Sequence, residues 1–78
     1  MAWIFRGDRI KTAREIKDYT QSQVADKMGI TIQQYSAWET GAVKPGQDSL
    51  IKLCNALECP PKFFYVDSDD DNHQTAPN

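Results

Sequence analysis

The tightest constraint on this chain is a polar signal that occurs twice. Thr20 is followed three residues later by Gln23, and Thr31 is followed three residues later by Gln34. A threonine hydroxyl can accept from the backbone N–H three residues ahead, while the glutamine amide oxygen accepts from the threonine's own N–H. Each pair therefore marks a helix start, and the two starts lie only eleven residues apart. Between them Gly29 directly follows Met28, at a helix end that favours positive φ. The pattern predicts two short helices joined by a glycine turn. Helices of this length are marginal alone, so their apolar faces must dock on a larger core.

The rest of the chain supplies that core at helical spacing. Gly7-Asp8 opens a segment with Ile10, Ala13 and Ile16 on one stripe, predicting a first helix over about residues 8–18. Val24, Ala25 and Met28 form the inner face of the second helix, and Tyr35 and Trp38 that of the third, which Gly41 can end. After the turn signal Lys44-Pro45-Gly46, residues Leu50, Leu53, Cys54 and Leu57 recur at i, i+3, i+4 and i+7, one buried stripe. Cys59-Pro60-Pro61 stops that helix, and residues 61–65 read as one more short helix with proline in its first turn. No segment alternates long enough to predict a strand. Trp3 and Phe5 read as an arm covering the core, and one of Phe63, Phe64 and Tyr65 as an exposed aromatic suited to a dimer contact.

Composition removes several functions. Seventy-eight residues make one domain, residues 1–66, with an acidic tail or linker over 67–78. No apolar run approaches the ~20 residues of a membrane span, and the first residues carry no signal-peptide pattern, so the chain reads as cytoplasmic. With one histidine, His73, there is no ligand set for a metal, and no cofactor motif is present. No nucleophile stands near a base, which argues against an enzyme. Cys54 and Cys59, five residues apart, would point about 140° away from each other on one helix and are poorly placed to bridge. They read as reduced, partly buried thiols.

Charge first argues against a polyanionic partner, since the net value is −2. The distribution reverses that. Residues 1–66 hold all nine Lys and Arg against seven acids, a balance of +2, while Asp67, Asp69, Asp70 and Asp71 put −4 in the tail. The acidic excess lies outside the globular part, which is mildly basic.

Two capped helices with a glycine turn form a helix-turn-helix, here spanning about residues 21–40. The close crossing needs a small residue on the first helix, and Ala25 supplies it. The second helix must present side chains that reach base edges. Ile32, Gln33, Ser36 and Ala37 fill those positions and carry no negative charge. Gln33 could donate to and accept from adenine, while Tyr35 and Trp38 read as core and not as stacking platforms for single strands. Lys44, then Arg9, are the first choices for phosphate contacts, with the helix N-termini at Gln21 and Thr31.

The stretch from Thr20 to Thr31, followed by Tyr35-Ser36-Ala37-Trp38-Glu39-Thr40-Gly41, resembles the phage-repressor and Cro-like helix-turn-helix family. The likeness runs on through Lys44-Pro45 and residues 50–57, covering about residues 7–65, and looks nearest to lambdoid phage repressor N-terminal domains. It implies an all-α, compact bundle of about five short helices whose second and third form the helix-turn-helix. It implies binding to double-stranded operator DNA, usually as a two-fold homodimer. By position, it implies that Gln21 bonds a phosphate and braces the recognition helix. Ile32, Gln33, Ser36 and Ala37 would meet bases. Arg14 and Glu39 would form an internal salt bridge, and residues 40–44 would run beside the DNA backbone.

Two departures stand out. Ile32 occupies a position that is glutamine in several relatives; it cannot bond adenine bidentately but can touch a thymine methyl. The loop carries Lys44 as its sole cation. The expectation is a transcriptional repressor. An antitoxin or a restriction–modification controller on the same fold, or a protein-interaction module without DNA binding, are the alternatives. The tail leaves room for a protein partner or a C-terminal dimerisation domain.

Overall fold

The computed structural model describes residues 3–67. In chain order these form β1 (Trp3–Phe5), α1 (Gly7–Ile16), α2 (Gln21–Met28), α3 (Ile32–Thr40), α4 (Gln47–Leu57), a 3-10 turn (Pro61–Phe64) and β2 (Tyr65–Asp67). The fold class is that of the expected helical bundle, with two corrections. The fifth helix is a single 3-10 turn, and the ends of the described segment pair as a small antiparallel sheet.

Both capping boxes are closed. Gln23 N donates to Thr20 Oγ1 at 3.1 Å and Thr20 N to Gln23 Oε1 at 2.7 Å. Gln34 N donates to Thr31 Oγ1 at 3.1 Å and Thr31 N to Gln34 Oε1 at 3.3 Å. Gly29 and Gly41 end α2 and α3 at φ 72° and 84°, a region that costs a side chain but not glycine. Together these signals set the length of both helices and the sharpness of the turn.

The first helix stops earlier than its periodicity suggested. Asp18 takes φ 63° and turns the chain, and Ile16 is 71% exposed, so the inner stripe of α1 is Ile10 and Ala13. Aspartate is among the few residues that tolerate this conformation.

The sheet was invisible as alternation because each strand has only three residues. Its register pairs Trp3 with Asp67, Ile4 with Val66 and Phe5 with Tyr65. Long-range contacts decide it: Arg6 N donates to Phe64 O at 2.8 Å, and the Phe5 ring meets Phe64 and Tyr65 edge-on at 6.4 and 5.5 Å. Asp67, read as the first tail residue, is instead buried at the end of β2, while Trp3 is largely exposed. The acidic residues 69–71 lie outside the described residues.

The core joins Ile10, Val24, Tyr35, Leu53, Leu57 and Phe64, all fully buried, each from a different turn of the fold. Such side chains contribute about 1.5–3 kcal/mol each on burial. Leu50 is only partly buried. Gly7 fixes how close α1 comes to α3: a Cβ there would collide with the Trp38 carbonyl oxygen and crowd the Glu39 oxygen and Gly41 nitrogen at 3.0 Å. An alanine in a helix ordinarily gains about 0.4–1 kcal/mol over glycine. Overpacking against backbone costs about 1–3 kcal/mol. The clash wins, and Gly7→Ala is predicted to lower stability by about 1–2 kcal/mol in urea denaturation. A stabilised variant would contradict the close approach.

Candidate nucleic-acid interface

Helix α3 has two faces of different chemistry. Tyr35, Trp38 and Glu39 are buried against α1 and α2. On the other side Ile32 and Gln33 are exposed, and Ser36 and Ala37, one turn on, are half-buried. These four share one face because residues four apart lie above one another on a helix. The acid in α3, Glu39, points inward, so the outward face carries no negative charge.

Glu39 is the hub beneath that face. Arg14 of α1 donates Nε to Glu39 Oε2 at 2.7 Å and Nη2 to Oε1 at 3.4 Å. Its Nη1 donates to the Tyr19 carbonyl at 2.8 Å, which ties down the turn into α2. Gln21, the first residue of α2, donates Nε2 to Glu39 Oε1 at 2.9 Å. Three helices thus converge on one carboxylate whose side chain is 4% exposed. The Tyr35 hydroxyl is buried near the same carboxylate without a hydrogen bond of regular geometry.

Electrostatics follow from this packing. Burial alone would raise the Glu39 pKa, but Arg14, the Tyr35 hydroxyl and Gln21 more than offset it and hold the carboxyl below its ordinary value. The hydrogen bond to Glu39 in turn raises Arg14, outweighing its own desolvation. Burial, then the Glu39 carboxylate, pushes the Tyr35 phenol far above the usual tyrosine range.

The other candidate residues divide into two groups. Gln21 and Thr31 sit at adjacent helix starts, but their side chains already work within the fold. The Gln21 amide is turned to Glu39 and the Thr31 hydroxyl caps α3. The loop after α3 is drawn back onto it, with Thr40 Oγ1 and Val43 N both donating to the Ala37 carbonyl at 3.2 Å. Lys44 and Arg9 lie on aromatic rings at the sheet end of the fold. Lys44 Nζ is 5.7 and 5.5 Å from the Phe5 and Tyr65 rings, and Arg9 is 5.5 Å from the Phe63 ring. Sequence reasoning missed the tie from Arg14 to Tyr19 and the contact of Gly7 with α3; neither leaves a local signal, since each partner is distant in the chain or a backbone atom.

A buried polar hub holding two short capped helices, with a neutral outward face on the second, defines the class. Residues 10–64 match the Helix-turn-helix family, and the chain belongs to it. Among proteins of known sequence, it is 33% identical over 78 residues to the HTH-type transcriptional regulator y4aM of Sinorhizobium fredii, covering 96% of this chain and 54% of that protein. It is 43% identical over 51 residues to the SPbeta prophage-derived HTH-type transcriptional regulator YonR of Bacillus subtilis, covering 65% of this chain and 47% of that one. The chain thus spans about half the length of the curated relatives it matches. Among solved structures it resembles the P22 c2 repressor bound to a synthetic operator, with TM-score 0.72, 26% identity and coverage of 78% of this chain and 92% of that one.

The hub makes stability sensitive to acid. The folded pKa of Glu39 is depressed, so its contribution is fully present above the unfolded value of about 4.3 and is lost as pH falls through the folded value. Glu39→Gln is predicted to cost about 1.5–3 kcal/mol at pH 7, because Arg14 loses its charged partner. The gap to the parent should narrow as pH drops from about 5 to 3. Urea titrations across that range test it, and a gap independent of pH would remove Glu39 from the acid response.

Proposed function

We propose that this chain is the DNA-binding part of a transcriptional regulator, acting as a repressor on an inverted-repeat operator. The observation that carries the reading is the outward face of α3, free of negative charge and held from behind by Arg14, Gln21 and Glu39. A recognition helix must enter the major groove as a rigid body, and a buried charged network resists its rocking. Family membership and likeness to an operator-bound repressor support the same reading.

In this reading two copies place their α3 helices in successive major grooves, ~34 Å apart. Gln33 reads adenine through its amide, Ile32 packs on a thymine methyl, and Ser36 and Ala37 allow close approach to the base edges. Backbone N–H groups at the starts of α2 and α3, beside Gln21 and Thr31, bind phosphates. Lys44 and Arg9 reach phosphates by leaving their aromatic rings, exchanging a cation–π contact of about 0.5–1 kcal/mol for a stronger ionic one. No chemical step is assigned to the chain.

Selection from random double-stranded DNA at about 0.1 M salt tests the proposal. The expected product is an inverted repeat with half-sites about one helical turn apart. Gln33→Ala should relax the preference at one base pair by about 1–3 kcal/mol, while Lys44→Ala should weaken all sequences alike and lower the salt slope by about 1. Failure to enrich any sequence, even when the chain is fused to a dimerisation module, would overturn it.

A further inference from the structure

The two cysteines do not lie on one helix. Helix α4 ends at Leu57, and Glu58 takes a left-handed conformation, φ 54° and ψ 49°, which folds the chain back over the last turn. Cys59 N then donates to the Cys54 carbonyl oxygen at 3.1 Å. This six-to-one bond caps α4 and brings the backbone of Cys59 back over the last turn of the helix. Bond lengths through that hydrogen bond limit the two Cα atoms to about 7 Å apart. Disulfides span about 4.4–6.8 Å. The expectation of about 140° assumed a helix continuing through residue 59; the chain instead reverses at Glu58 and brings the Cys59 backbone back to that of Cys54, with both thiols free.

The surroundings differ for the two thiols. Cys54 is buried in the core at 7% exposure. Cys59 is half-buried and lines an open groove of about 200 Å³, with Ile16, Leu57 and Phe63 as its apolar wall and the Lys17–Glu58 ion pair at 2.9 Å on its rim. Burial raises both thiol pKa values, and Cys54 raises Cys59 further while Lys17 opposes it.

We propose that Cys54 and Cys59 are a redox-reactive dithiol, closed to an intramolecular disulfide by hydroperoxides that enter the groove beside Cys59. The Cys59 thiolate attacks the peroxide, forming an S–O bond as the O–O bond breaks, and the departing oxygen takes a proton to leave as water or an alcohol. Cys54 then loses its proton and attacks the Cys59 sulfur; the S–S bond forms, the S–O bond breaks and the hydroxide leaves as water. Two thiols are oxidised by two electrons and one peroxide is reduced. The closed bridge clamps Glu58, the hinge through which α4 carries the 3-10 turn and β2.

The reduced chain is treated with hydrogen peroxide at pH 7 and pH 8. The expected product is a monomer lighter by about 2 Da, with neither thiol titratable after denaturation and both restored by dithiothreitol. The rate should rise about tenfold between the two pH values, since the thiolate is the nucleophile and both thiols are mostly protonated there. In Cys54→Ala the Cys59 sulfenic acid should accumulate and be trapped by dimedone, which the parent should not show. In Cys59→Ser, Cys54 should stay unreactive while the chain is folded. Cross-linked dimers, a sulfinic acid at Cys59 beside an intact Cys54, or equal dimedone trapping in the parent would each overturn the proposal.

Discussion

The fold turns on one carboxylate. Glu39 stands near the end of α3, where a helix C-terminus offers a negative dipole end and an acid is unfavourable. It is nonetheless buried, because Arg14 meets it from α1 with two donors and Gln21 adds a third from the start of α2. Taking two charges out of water is expensive, and the pair recovers that cost only through good geometry and complete hydrogen bonding. Its value lies in what it holds in register. Besides the shared apolar core, α1 and the start of α2 both reach α3 through this carboxylate, which braces α3 from two sides. The same burial leaves the outward face of α3 neutral.

Around that hub the apolar core is shared out thinly. Helices α2 and α3 have only eight and nine residues. Their ends are therefore a large part of each helix, and the two capping boxes and two left-handed glycines satisfy groups that a longer helix would leave to solvent. Gly7 adds a different constraint, a backbone-to-backbone approach of α1 to the end of α3. At the far end, Phe5, Phe63, Phe64 and Tyr65 close the core under a minimal sheet.

Much of this was legible in the chain. The threonine and glutamine pairs, Gly29 and Gly41 are local signals whose meaning depends on hydrogen bonds within three or four residues. The inner faces of α2 and α3 followed from spacing alone, as Val24, Ala25, Tyr35 and Trp38 show. The pairing of Arg14 with Glu39 came from family resemblance, since no local rule connects residues that far apart. Ile16 misled, because one apolar residue at the right spacing says nothing about where a helix stops; Asp18, with positive φ, decided that. The strands misled in the opposite direction, being too short for alternation to register.

By itself, then, the amino-acid sequence determined where α2 and α3 start and end, which side of each is apolar, and the neutral face of α3. All are set by neighbours within about one or two turns. Tertiary structure alone decided that Asp67 belongs to the fold, that Gln21 spends its amide on Glu39, that Lys44 and Arg9 rest on aromatic rings, and that Cys59 returns to Cys54. The physical reason is common to all four. Each depends on a partner brought near by chain reversal, and the energy of such contacts exists only once the backbone has already turned.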